Sequence, residues 1–168
     1  MYKDCAILSE PVKFPNNIYT PEMEDELYSI FKNELFGSKF YYQQKPVIYR
    51  RMPLYKDKEE AFFHIIAGKD NAMIKGYQQD IVRASRIRWG KEIISSAPCV
   101  LECCDGILIW ESRNRTKLFH QKFSYLVIIE ERKDYWLYIT SYRIGDSYRR
   151  RKELKEAHEY KSKRRLTI

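Results

Sequence analysis

Residues 106–141 read GILIWESRNRTKLFHQKFSYLVIIEERKDYWLYITS, and this stretch decides the fold. Four strand candidates stand out in it: Gly106 to Trp110, Lys117 to His120, Phe123 to Glu130 and Tyr135 to Ser141. Together they are rich in the β-branched and aromatic residues that fit a pleated surface. Between them lie polar turns, Glu111 to Arg115 and Glu131 to Asp134. Links this short can join only antiparallel neighbours, because a parallel return needs a crossover of about a dozen residues or more. The stretch is predicted to be a four-stranded antiparallel meander.

Immediately upstream, Gln78 to Ser95 reads as a helix, with Pro98 after its end. Ile81, Ala84, Ile87, Trp89 and Ile94 supply apolar contacts, and Arg83, Arg86 and Arg88 surround them. Gly90 weakens it internally. This helix is predicted to pack on one face of the meander. Further back, Thr20-Pro21-Glu22 opens another helix with an N-cap, a proline at the first position and acids in the first turn. Its apolar face is Met23, Leu27, Ile30, Phe31 and Leu35, and Gly37 is a natural stop. Phe40 to Met52 reads as extended, with Pro46 inside it and Pro53 after it. Lys58 to Phe63 reads either as a short helix or as the entry to a strand. The first twenty residues, with Pro11, Pro15 and Asn16-Asn17, read as an irregular lead-in.

Downstream, Gly145 ends the sheet and Asp146 or Ser147 caps a last helix. Residues 146–168 hold nine Lys plus Arg against four Asp plus Glu, so +5 of the net +8 sits there. Tyr148, Leu154 and Tyr160 give this tail a thin apolar edge, which predicts weak docking or ordering on RNA. The fold class is α+β: an antiparallel four-stranded sheet, two helices on its N-terminal side and a basic C-terminal helix. Residues 1–55 are an N-terminal extension, 56–145 the core and 146–168 the basic helix or tail, all in one compact domain.

The chain has 168 residues, 44% of them hydrophobic, enough for a core without disulfides. The net charge of +8 favours a polyanionic partner, most simply nucleic acid, and 14 Tyr offer rings for sheets or for unpaired bases. Met1 is followed by Tyr-Lys-Asp-Cys, and no long apolar run occurs anywhere. That predicts no signal peptide, no membrane association and a cytoplasmic protein. Cys5, Cys99, Cys103 and Cys104 are then expected to stay reduced. Cys99-x3-Cys103-Cys104 lacks a His or fourth Cys at zinc-finger spacing, so no metal site and no cofactor is expected.

Nucleotide-binding loops, nucleophile elbows and paired-histidine metal helices are missing. The residues present suit RNA cleavage without a metal, in which the 2′-hydroxyl attacks the adjacent phosphorus. That chemistry needs a base, an acid and cations for the charged phosphorane. Histidine suits the proton work and arginine the phosphate. His64 follows an aromatic pair, and His120 ends a strand before a turn; a satisfied structural histidine is the alternative for each. His158 lies in the charged tail. Arg83 and Arg86 share a helix face, and Arg113 and Arg115 precede the strand carrying His120. The alternative for these is a solvated helix and a charged turn.

Four segments recur in order: Phe63-His64-Ile65-Ile66, Arg83-x2-Arg86-Ile87-x-Trp89, Arg113 before strands ending Tyr135-x-Leu137-Tyr138, and Thr140-Ser141-Tyr142. Together they resemble the phage-associated branch of the barnase–EndoU–colicin–RelE-like nucleases, over roughly residues 60–145. That group has an Arg-Ile-x-Trp helix followed by a four-stranded antiparallel sheet whose last strand ends in a Thr-Ala-Tyr-like motif. Here position 141 is Ser, and Arg143 stands where Pro is common. The resemblance implies a metal-independent endoribonuclease of prophage or toxin type, with RNA as substrate and an antitoxin or immunity protein as a possible inhibitor. Carried over, His64 is a general base or acid, and Arg83, Arg86 and Arg113 grip the scissile phosphate. His120 supplies the second proton function, and Thr140 and Tyr142 position the substrate. Lys69, Arg88, Trp89, Ser141 and Arg143 are expected to bind substrate beside them. The alternative reading is a non-catalytic nucleic-acid-binding or protein-interaction module, such as a phage-encoded regulator.

Overall fold

The computed structural model describes residues 5–67, 80–99 and 106–165. The 106–141 stretch forms the predicted meander: β5 Ile107–Ser112, β6 Arg115–His120, β7 Tyr125–Glu131 and β8 Trp136–Arg143. All three pairings within it are antiparallel. The sheet is nevertheless larger than four strands, and it is mixed. Two upstream strands, β1 Tyr41–Tyr42 and β2 Lys45–Ile48, extend it to the order β1-β2-β8-β7-β6-β5. The β2–β8 pair is parallel, through Val47 opposite Trp136 and Ile48 opposite Leu137. Pro46 is tolerated in this strand because Val47 N–H donates to the Phe40 carbonyl on the β1 side, so the proline nitrogen faces the β8 side just ahead of the first β8 pair at Val47. The β1–β2 link also carries no Gly or Asn signal: Gln43 and Gln44 take the left-handed region themselves, at φ 46° and 66°. A separate hairpin, β3 Leu54–Tyr55 with β4 Lys58–Glu59, leads into α2, Glu60–Ile66.

The first helix starts and stops as read. Thr20 caps Met23 N–H, α1 runs Pro21–Ile30 and continues as a π turn over Phe31–Phe36, and Gly37 closes it. The helix expected over 78–95 is instead two: α3 Ile81–Ala84 and α4 Trp89–Ser96. The Val82 carbonyl, which would accept from Arg86 N–H in a continuous helix, is taken by Ser85 Oγ and Arg86 Nη1. The backbone N–H groups of Arg86, Ile87 and Trp89 bond three residues back instead, so the turn tightens. Gly90 has a packing cause. A Cβ there would stand 2.1 Å from the Tyr138 hydroxyl, so α4 approaches β8 closely only because residue 90 has no side chain.

Helices α1 to α4 cover one face of the sheet, and Leu27, Phe31, Phe62, Ile65, Trp89 and Ile93 join Leu118, Val127 and Tyr138 in a single core. Residues 5–55 belong to that core through Leu8, Phe14, Phe40 and Tyr49, so the N-terminal part is integral to it. On the opposite face lies α5, Ser147–Arg165. Ala157 is buried there, and Leu154 and Tyr160 pack against the cluster of Trp110, Phe119, Leu126 and Ile128. Lys117 bonds Glu153 and Glu156, and Trp110 Nε1 donates to Glu156 at 3.0 Å. The weak docking expected of the tail is therefore corrected. Its short apolar edge is supplemented by partly buried ion pairing, which the sequence could not assign to a partner.

Candidate active site

Strand β2 pairs with β8 only at Trp136 and Leu137, so beyond them the edge of β8 faces α2. A β-bulge between Ile128 and Ile129 leaves Ile139 without an opposite residue. Its effect is to switch the side-chain alternation. Tyr138 enters the helix-side core while Tyr142, four residues on, packs on the α5 side. Between them opens a cleft of about 420 Å³, bordered by α2, α3, β6, β8, the start of α5 and Arg50.

Arg83 forms the back of this cleft. It is only 8% exposed, and burial pulls its pKa below the usual guanidinium value. Its Nε donates to the Ile65 carbonyl at 2.9 Å, and its Nη2 donates to the His64 carbonyl and to Thr140 Oγ1, the last at 2.7 Å. These bonds tie the C-terminal end of α2, whose last carbonyls lack helical partners, to β8. Arg83 therefore positions the site from behind. Thr140 Oγ1 itself donates to the His64 carbonyl at 3.2 Å.

His64 borders the cleft, and its ring Nε2 lies 3.5 Å from Glu60 Oε1 one turn earlier on α2. A carboxylate in that place orients the ring. Opposite, Arg149 Nη2 donates to the Tyr142 hydroxyl at 2.8 Å, and the Arg149 guanidinium lies 4.9 Å from the Tyr142 ring centre. Arg83 lies 5.4 Å from the same ring. Because the Tyr142 oxygen accepts from Arg149, its own proton can be donated onward. Arg50 and Arg115 complete the rim. Glu60 is the one acidic side chain among the described lining residues. Among the described residues, no three His, Cys, Asp or Glu side chains gather as a metal site requires.

Of the residues expected here, His64, Arg83, Thr140 and Tyr142 converge. His120 does not. It is fully buried, stacked on Phe123, with its Nε2 3.3 Å from Cys5 Sγ. The strand end that suggested a functional group is covered by the N-terminal segment. Arg113 sits at φ 60° in the exposed β5–β6 turn, and Arg115, two residues on, takes the rim position. Arg86 bonds the Val82 carbonyl and lies over Trp89. Arg88 forks onto Glu34 at 2.6 and 2.7 Å. Trp89 is buried and donates to the Ser9 carbonyl, and Ser141 is buried against the Tyr125 hydroxyl. These four hold the fold together. Arg143 is exposed at the end of β8, and Lys69, Cys103 and Cys104 lie outside the described residues. Glu60, Arg50 and Arg149 were missed. The Glu60-x3-His64 spacing was a readable signal for the first, but nothing local marks the other two.

Comparison with known proteins finds no matching family model, no matching curated protein and no matching solved structure. Among the described residues, no helix is long and apolar enough to cross a membrane.

Proposed function

We propose that the chain is a metal-independent endoribonuclease of the toxin-like kind that its motifs resemble, acting on cytoplasmic RNA. One observation carries this reading: His64 with Glu60, the Tyr142–Arg149 pair and the cations Arg50, Arg83 and Arg115 border one cleft. His64 takes the proton of the 2′-hydroxyl, and the 2′-oxygen forms a bond to the adjacent phosphorus. The bond from phosphorus to the 5′-oxygen breaks, and that oxygen takes the Tyr142 proton. The products are a 2′,3′-cyclic phosphate and a 5′-hydroxyl; Tyr142 regains a proton from water and His64 returns one. The rim arginines stabilise the charge that builds on the phosphorane.

The test is substitution at the two proton-handling groups. His64→Ala and Tyr142→Phe should each lower RNA cleavage by about a hundredfold or more without loss of fold. A second reading is favoured by one specific feature: Arg83 is engaged by two carbonyls and a hydroxyl of the protein itself. In that reading the cleft binds RNA without cutting it. Undiminished RNA binding with no cleavage by the intact protein would select it.

A further inference from the structure

Arg50 borders the cleft and also a second, larger groove of about 920 Å³. The groove runs from the π turn after α1 along the β1–β2 hairpin to the start of β8. Lys39, Arg50, Arg51 and Arg132 line it, with Tyr41 and Tyr135. Its described lining contains no acidic side chain. Glu130 is buried; it pairs with Arg132 and also lies 3.5 Å from Arg115 on the rim of the cleft. Tyr41 is 53% exposed and Ile48 40% exposed, so the groove presents apolar and aromatic surface as well as charge. Arg51 and Lys39 are exposed.

We propose that this groove holds the single-stranded RNA that flanks the scissile phosphate, a proposal that rests on the ribonuclease reading of the cleft. The shared Arg50 makes cleft and groove one continuous cationic path. Cations along such a path follow the phosphate backbone, and exposed rings stack on unpaired bases. A duplex keeps its bases stacked on one another and would use only the cations. An acidic peptide would likewise leave the tyrosine rings without planar partners. The groove is built from the β1–β2 hairpin and the segment before it, elements that precede the stretch carrying the nuclease-like motifs.

Binding of a fluorescent 2′-O-methyl RNA of about twelve nucleotides tests this, because that strand cannot be cut and the readout is independent of catalysis. Tyr41→Ala and Arg51→Ala, both at exposed positions, should each weaken binding roughly tenfold. Arg51→Ala should also reduce the salt slope by roughly 0.7, the loss of one phosphate contact on a single strand. A duplex of the same length should bind more weakly and be insensitive to Tyr41→Ala. Variants that bind the strand as the parent does, or a parent that binds duplex or poly-glutamate as tightly as the strand, overturn the proposal. If the strand is bound through Tyr41 and Arg51 but no RNA is ever cut, the groove stands and the ribonuclease reading falls. If RNA is cut and the two variants bind normally, the reverse holds.

Discussion

Arg83 Nη2 donates to Thr140 Oγ1 at 2.7 Å, and this bond joins the α2 end to the edge of β8. The same guanidinium satisfies the carbonyls of His64 and Ile65, so removing it would strand buried acceptors. Arg83→Ala is expected to cost roughly 2–4 kcal/mol, the scale for breaking a buried hydrogen-bonded charge. Arg83→Lys should not restore it, because an ammonium cannot reproduce the fork. Arg149→Ala, at an exposed position, should cost under about 1 kcal/mol yet lower cleavage by about a hundredfold. Denaturant midpoints beside cleavage rates separate the two roles; equal stability losses would contradict this division.

Gly90→Ala should destabilise, although alanine is the better helix former by about 1 kcal/mol. The new Cβ would meet the Tyr138 hydroxyl at 2.1 Å, and Tyr138 is held by its own burial and by Tyr49, whose ring centre is 4.7 Å away. A loss of roughly 1–3 kcal/mol is expected, the usual scale for overpacking. Adding Tyr138→Phe should recover part of it, since the hydroxyl makes the worst clash while the ring carbons at 3.0 and 3.1 Å stay tight. A thermal midpoint unchanged by Gly90→Ala would refute the close approach.

The burial of His120 supports a structural role in place of the catalytic one expected from the sequence. His120→Ala should open a cavity between Cys5 and Phe123 and cost roughly 2–4 kcal/mol. The fraction that stays folded should keep its turnover. A variant with parental stability but no turnover would return His120 to the chemistry.

The meander was legible because strand alternation and turn polarity agree over residues 106–141. The parallel β2 was not, because its pairing with β8 joins residues some ninety positions apart and no local signal records it. The cleft shows the same division. His64, Arg83, Thr140 and Tyr142 were found through ordered motifs, whereas Arg50 and Arg149 reach the cleft from elements whose packing is long-range. His120 lies outside the cleft for the converse reason. A strand end is a site only if nothing covers it, and Cys5 does, from the opposite end of the chain.

Acid should destabilise the fold through three carboxylates. Hydrogen bonds from Arg88 hold Glu34 below its ordinary pKa. For Glu59 and Glu156 burial pushes upward, but bonds from Lys32 and Tyr28, and from Lys117, Trp110 and Ser112, bring each net below it. A carboxyl whose folded pKa is depressed adds stability above its unfolded value and loses it as pH falls through the folded one. Stability should therefore be level from neutrality to about pH 5 and decline below, with Glu156→Gln flattening the decline. Urea midpoints across that range provide the check, and a midpoint that rises on acidification would be inconsistent with these pairings.

The central claim is that the cleft uses the 2′-hydroxyl of RNA as nucleophile, and the termini of the products test it most directly. Purified protein should be incubated with single-stranded RNA in excess EDTA and the fragments analysed by mass spectrometry. The account predicts 2′,3′-cyclic phosphate and 5′-hydroxyl ends, an intact DNA strand of the same sequence, and loss of these products with His64→Ala. Fragments with 5′-phosphates, or cutting that begins only when magnesium is added, would contradict it.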